Sequence, residues 1–567
     1  MNRGRREALR AVVAALLVAV SFCVAPRTSV AGASVPAGAS RYVPLATPLR
    51  LADTRPLSGI GGFSVVGPAT LRIPVVGQAG VPADATAAIV RVTIIGSGSA
   101  GYLTVFPAGT TPPVAASVNS DAAFRTVANL AHVKLGVGGA IDLYRGVMSE
   151  VSVDLVGVYV PVTDAASAGR LVTLPDGSRR AFDSRITPPA LGTNGALSVD
   201  LGTVGLPSGA SAAVVTLTAV AAPVGDWTVY RAGAPAPPAS TLVLDRAGQT
   251  RAVQAVVALD GGTRVMVAAD AGGNFVLDLV GWYTGDGDPA GTDGLFIPSD
   301  PKRRFDSRKL TYLAPWPRST YEMNVDAPIA GVSAVVMNLA VLQPWDNGFF
   351  TAYPAGSARP NTSALNTSAW PQTIAGHVVA RISTRGMALY TSAGAHMVVD
   401  VTGYFTGSPA APTSAPLPLP NYDPTKAIAV SVPKLGVFLP IAASRTTAGL
   451  TTLADRGYAA AWTTNVLTPV AGNIMLFGHR TSGSAPFRNL NGLKFGDLIT
   501  LIGTDGHQYH YKAVQTAVTS PLFASVNAVA GKYPPITVQL VACSKKDGTP
   551  TSLSYRISVT ARLVGVT

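Results

Sequence analysis

Ile536-Thr537-Val538-Gln539-Leu540-Val541-Ala542-Cys543 is an apolar run that ends in a cysteine, and Arg556-Ile557-Ser558-Val559-Thr560-Ala561-Arg562-Leu563 follows it after a polar loop. In the second segment Ile557, Val559, Ala561 and Leu563 fall on one face and Arg556, Ser558, Thr560 and Arg562 on the other. That is the two-residue period of a strand. Paired as a hairpin, the end of the first strand lies beside the start of the second, which predicts that Cys543 and Arg556 meet at one rim.

The rest of residues 426–567 reads the same way. Segments 428–439, 472–477, 497–502 and 507–514 are short and rich in β-branched residues, with little helical periodicity, and predict an all-β barrel. After the strand 473–477 comes Gly478-His479-Arg480. An ordinary thiol, with a pKa near ~8.5, is a weak nucleophile at neutral pH; a neighbouring imidazole and guanidinium supply or stabilise the thiolate. The imidazole also moves a proton to a departing amine, and the arginine fork stabilises an oxyanion. Cys543, His479 and Arg556 together suffice for acyl transfer.

At this point the residues resemble a known family. Gly478-His479-Arg480 with Ala485-Pro486-Phe487-Arg488, Leu490, Leu493 and Gly496-Asp497 is similar to the histidine block of sortases, in particular the class E group of actinobacteria. The run 536–543 with Arg556 resembles the family's cysteine strand and following arginine, and Pro433-Lys434-Leu435-Gly436-Val437 its opening strand. The resemblance implies an eight-stranded β-barrel and a cysteine transpeptidase, with Cys543 as nucleophile, His479 as general acid and base, and Arg556 holding the substrate carbonyl and oxyanion. It also implies a sorting-signal peptide as substrate and an amine acceptor, either a peptidoglycan precursor or a pilin lysine; no cofactor is expected, and no metal, because residues 426–567 hold only four Asp and no Glu. Ala542 stands where sortases usually carry threonine, and the interval from Cys543 to Arg556 is longer than in class E relatives.

Other residues compete for roles. Asp497 and Asp547 are the candidates for a carboxylate behind His479, the first reading as a turn residue and the second as a loop residue. Arg480 competes with Arg556, but neighbours in an extended chain point to opposite faces, which turns Arg480 away from His479. His507 and His510 read as surface or packing histidines, with no carboxylate cluster beside them.

Upstream, the chain repeats itself. Arg50-Leu51-Ala52-Asp53-Thr54-Arg55 recurs as Arg180-Ala181-Phe182-Asp183-Ser184-Arg185 and Arg303-Arg304-Phe305-Asp306-Ser307-Arg308, and each copy closes on a similar strand, at 154–159, 278–283 and 400–405. Runs of four to eight apolar residues between Gly, Pro, Asp and Asn clusters predict three β-sandwich-like repeats over 41–161, 170–285 and 295–407. The R-x-x-D-[ST]-R element reads as an arginine–aspartate tie within each domain rather than a ligand site. These blocks resemble a repeat of exported actinobacterial proteins, which implies no chemistry of its own. Residues 408–425 follow as a proline-rich linker, a semi-rigid extended spacer, and 426–567 as the catalytic domain.

Composition sets the compartment. The 567 residues are 48% hydrophobic and 13% charged, with 58 Gly and 44 Pro, which excludes a charged disordered chain and long helical bundles. Arg3, Arg5, Arg6 and Arg10, then an apolar run and Ala31-Gly32-Ala33, read as a signal peptide over 1–33. The run of about 15 residues is short for a membrane span, so cleavage is the first expectation and an uncleaved anchor the second. Export leaves Cys543 as the one mature cysteine, since Cys23 lies in the leader. Residues 426–567 hold thirteen Lys and Arg against four Asp and no Glu. That excess points to an anionic cell-wall polymer rather than nucleic acid. The expected protein is an exported or cell-surface transpeptidase; the alternative is a non-catalytic wall adhesin or stalk with a peptide-binding tail.

Overall fold

The structure, a computed structural model, describes residues 34–308, 318–342, 344, 347–368, 372–416, 426–462, 469, 472–504, 506–530, 536–550 and 552–567. Residues 1–33, where a signal peptide is expected, and 417–425, the second half of the proline-rich stretch, lie outside these residues.

Each repeat folds as two antiparallel sheets face to face. In the first, strands Ser40–Asp53, Glu150–Pro161, Ala87–Ile95 and Val127–Lys134 make one sheet, and Thr70–Pro74, Ala140–Arg145 and Gly101–Pro107 lie in the other. Alternation decides which side chains fill the gap: Ala88, Val90 and Val92 pack between the sheets against Ile73, Leu103 and Leu143. The second and third repeats have equivalent clusters around Trp227 and Phe350.

The opposite faces of these sheets are buried too. Ala87, Ile89 and Tyr159 of the first repeat, Val214, Val256 and Tyr283 of the second, and Phe296, Val336 and Phe405 of the third form one further apolar cluster. Three inner sheets thus enclose a common core, and those of the first and third repeats join at Ser40 and Phe296 into one sheet of eight strands. Inside that core runs a polar chain. His377 Nε2 lies 2.9 Å from His132 Nδ1, His132 Nε2 lies 2.9 Å from the Tyr159 hydroxyl, and that hydroxyl lies 2.6 Å from the Tyr283 hydroxyl.

The R-x-x-D-[ST]-R element ties each repeat together as its pattern predicts. Arg180 Nε donates to Asp278 Oδ1 at 2.7 Å, while Arg185 forks onto Asp183 at 2.8 and 2.7 Å. Arg50 with Asp154 and Arg303 with Asp400 repeat the arrangement. The structure adds a tie between neighbours: Arg303 Nη2 donates to Val114 O at 2.7 Å, and Arg180 Nη2 to Asn361 O at 3.1 Å. The described part of the proline-rich stretch is docked rather than free, since Ala410 N donates to Ile382 O at 2.9 Å, and Thr413 N to Gly356 O at 2.9 Å.

Residues 427–566 form a closed eight-stranded barrel. Its strands are β1 (Ala427–Val432), β2 (Val437–Ser444), β3 (Ala459–Trp462), β4 (Asn473–Phe477), β5 (Leu498–Gly503), β6 (Gln508–Thr519), β7 (Thr537–Ser544) and β8 (Tyr555–Val566). Around the barrel they run β1-β2-β3-β4-β7-β8-β6-β5, with β4 and β7 parallel and β7 and β8 antiparallel. Val538, Leu540 and Ala542 of β7, and Ile557, Val559, Ala561 and Leu563 of β8, point into the core, as the alternation predicts.

Two short helices interrupt the expected all-β domain. The first, α1 (Thr447–Asp455), starts where the Thr446 hydroxyl accepts from Gly449 N at 3.1 Å and stops before Gly457, whose φ of 83° suits glycine. The second, α2 (Phe523–Ala530), lies on the outer wall, where its Val526 packs on Met475 of β4 and Val541 of β7.

Candidate active site

Because even-numbered residues of β7 face the core, Gln539, Val541 and Cys543 face outward. Cys543 is therefore on the barrel's outer wall, partly exposed, and it is a free thiol. In the antiparallel register Cys543 pairs directly with Arg556 at the rim. In the parallel register Phe477 pairs with Val541, and Gly478 N donates to Val541 O at 3.1 Å. His479 stands two residues beyond Phe477 as Cys543 stands two beyond Val541. All three residues line one groove of ≈ 200 Å³.

The groove runs between the two helices. Leu450 and Ala454 of α1, Phe477, Val541, and Val526 of α2 give it an apolar wall, and Thr447 and Thr451 add hydroxyls beside His479, Cys543 and Arg556. Ala542 is 3% exposed and belongs to the barrel core, while the residue also borders the groove between Val541 and Cys543.

Gly478 owes its identity to a close approach. Phe487, itself fully buried, lies so near that a Cβ on residue 478 would sit 2.7 Å from its ring. Gly478→Ala is expected to lower stability by about 1–3 kcal/mol through overpacking, read as a lower denaturant midpoint at unchanged slope.

Arg480, 1% exposed, lies behind the site rather than in it. Its Nη1 donates to Gly548 O at 3.0 Å and Cys543 O at 3.3 Å, its Nη2 to Asn491 Oδ1 at 2.8 Å, and its Nε to Arg488 O at 3.2 Å. Burial pulls this guanidinium below its usual pKa, and the charge of Cys543 pulls it back up. The loop after Cys543 is pinned by these bonds and by its own turn, in which Asp547 accepts from Thr549 N at 2.9 Å. The long interval thus folds back and delivers Arg556 in register. Arg556 Nη1 donates to Leu553 O at 2.9 Å and Tyr555 O at 3.0 Å.

Neither aspartate expected behind His479 is there. Asp497 pairs with Lys434 Nζ at 2.6 Å, and Asp547 belongs to its turn. The partner is Asp455, at the end of α1, whose Oδ1 lies 2.9 Å from His479 Nε2. The sequence carries one signal of it, an acidic residue just ahead of Arg456-Gly457, but no apolar stripe that marks the helix. His510 bridges Thr500 Oγ1 at 3.0 Å and Thr567 Oγ1 at 2.9 Å and takes no part in the groove.

The family model of the sortase domain matches residues 430–564. Residues 430–564 are a sortase domain. Solved structures similar to the chain include sortase E1 from Streptomyces coelicolor with a tripeptide in the active site, at 29% identity over 25% of this chain and 90% of that one, TM-score 0.22. Others are the SrtA sortase from Actinomyces oris, at 21% identity over 26% and 89% with TM-score 0.22, and Listeria monocytogenes sortase A, at 22% over 25% and 90% with TM-score 0.20. No curated protein matches the chain. Within the sortase domain, one groove gathers the Cys543 thiol, the His479 imidazole and the Arg556 guanidinium.

Proposed function

We propose that the protein is an exported cysteine transpeptidase that cleaves a sorting-signal peptide and transfers it to an amine at the cell surface. The observation that carries this reading is the convergence of His479, Cys543 and Arg556 on one groove through two strand registers. The Cys543 thiolate attacks a peptide carbonyl, and the tetrahedral oxyanion is held by the Arg556 fork. His479 gives a proton to the departing amine as the C–N bond breaks, leaving a thioester on Cys543. An incoming amine, from a peptidoglycan precursor or a pilin lysine, gives a proton to His479 and attacks the thioester. A new amide forms and the thiolate is released. Water in place of the amine makes the same site a peptidase.

The apolar wall of Leu450, Val526 and Val541 suits an aliphatic side chain of the peptide. The basic excess of 426–567 suits an anionic wall polymer near the acceptor. The test is mass spectrometry of the full chain after incubation with Leu-Ala-x-Thr-Gly and Leu-Pro-x-Thr-Gly peptides. The expected result is a peptide adduct on Cys543 that is missing in Cys543→Ala. No adduct from any peptide, together with a Cys543 that resists iodoacetamide, would make the domain a non-catalytic binding module.

A further inference from the structure

We infer that Asp455 is a positioning residue for this reaction: its carboxylate takes the Nε2–H of His479 and leaves Nδ1 as the nitrogen that carries the proton. The inference rests on the transpeptidase reading for its consequence, but not for its geometry. A neutral imidazole has one N–H and one lone pair, and an ionised carboxylate only accepts. With Asp455 Oδ1 2.9 Å from His479 Nε2, the hydrogen sits on Nε2. The other nitrogen is then the acceptor, free to take a proton from the Cys543 thiol or the incoming amine and to return it to the leaving one.

The placement of Asp455 supports a use beyond the helix. It is the last residue of α1, where the helix carbonyls present their negative end and a carboxylate is unfavourable by a few tenths to about 1 kcal/mol. Its side chain meets the His479 ring instead, Oδ1 to Nε2. The helix is held by buried Leu450 and by its packing beside β3, so the carboxylate is presented to the ring from a fixed element. The Asp455 side chain is 60% exposed and that of His479 19%, which places the pair at the groove's mouth, where water competes and the effect on rate is moderate.

The experiment uses the full chain with ¹⁵N-labelled histidine. The wild type is expected to show His479 in the Nε2–H tautomer at neutral pH, and Asp455→Ala a mixture of both. In thioester formation with a Leu-Ala-x-Thr-Gly peptide, Asp455→Ala should lower the maximal rate by about tenfold, a fraction of the ~10²–10⁴ a placed acid–base group supplies. KM should stay within about twofold, and Asp455→Glu should recover most of the rate. An unchanged thermal midpoint and near-ultraviolet circular dichroism in Asp455→Ala would show that the fold around the groove is intact. An unchanged tautomer in Asp455→Ala overturns the inference. A wild type that forms no thioester sinks the transpeptidase reading instead, and the tautomer spectrum still decides the role of Asp455.

Discussion

Acidification from pH 7 to about 4.5 is expected to destabilise the N-terminal body by several kcal/mol, because histidines are folded into it without charge. His132 and His377 are 2% and 3% exposed in the shared core. Burial pushes His377 down to about 3 and His396 down to about 4, and burial with the neighbouring His377 holds His132 well below its usual range. The sign follows from linkage. Below about 6.5 the unfolded chain protonates these rings and the folded chain does not, so stability falls with pH until the folded values are reached.

Each such ring costs about 1.4 kcal/mol per pH unit, so over two units His377 alone costs about 3 kcal/mol. His396 adds a similar loss over the same range. Asp278 opposes them: burial raises its carboxyl to about 6 against the pull of Arg180, so it takes up a proton when folded and returns part of the stability between about 6 and 4. Nearer pH 3 the arginine-paired Asp53, Asp183 and Asp306, whose values are lowered, begin to lose their stabilisation as well. Urea melts followed by the emission of buried Trp227 should show the midpoint falling from pH 7 to 4.5, with His377→Gln removing its share of the slope. A midpoint level across that range would mean that the His132–His377 pair is hydrated.

The second large effect is expected at Arg480. Replacing it with alanine leaves the carbonyls of Cys543, Gly548 and Arg488 and the Asn491 amide oxygen without the donor they share. A buried acceptor left unpaired costs about 1–3 kcal/mol, and the Gly548 carbonyl is the buried one of the four; the oxygens of exposed Arg488 and Asn491 take up water, so the loss is about 1–3 kcal/mol. Arg480→Lys should not restore it, because an ammonium does not reproduce a planar fork that serves acceptors on three sides. The loop that follows Cys543 loses its anchor, and trypsin should then cut after Lys545 or Lys546 in the native protein. Unchanged melting with a protease-resistant loop would show that the turn around Asp547 holds itself. The same substitution should depress thioester formation, since the loop carries Arg556 into register.

Much of this was legible in the residues, and the omissions have physical causes. The hairpin of β7 and β8 was readable because one face of each strand is apolar without interruption. The reading of Cys543 with Arg556 followed from that period, and Arg480 turned away from His479 for the same reason. The helix α1 was not legible: nine residues with one buried side chain, Leu450, leave too faint a stripe to see. Asp455 is hidden with it, and the carboxylates that the sequence offers in its place, Asp497 and Asp547, serve turns. In the repeats, the inner strands read as continuous apolar runs because both of their faces are covered. One covering layer is the partner sheet of the same repeat; the other is two more repeats, and no local pattern distinguishes the two.

That second layer limits how such a chain can change its copy number. A single repeat cut from this body would present Ile89 and Tyr159, or their counterparts, as a bare apolar face, and a fourth copy would have to enter a core that three repeats already share. Beads on a string can be added or lost one by one, whereas here the heritable block is the triplet.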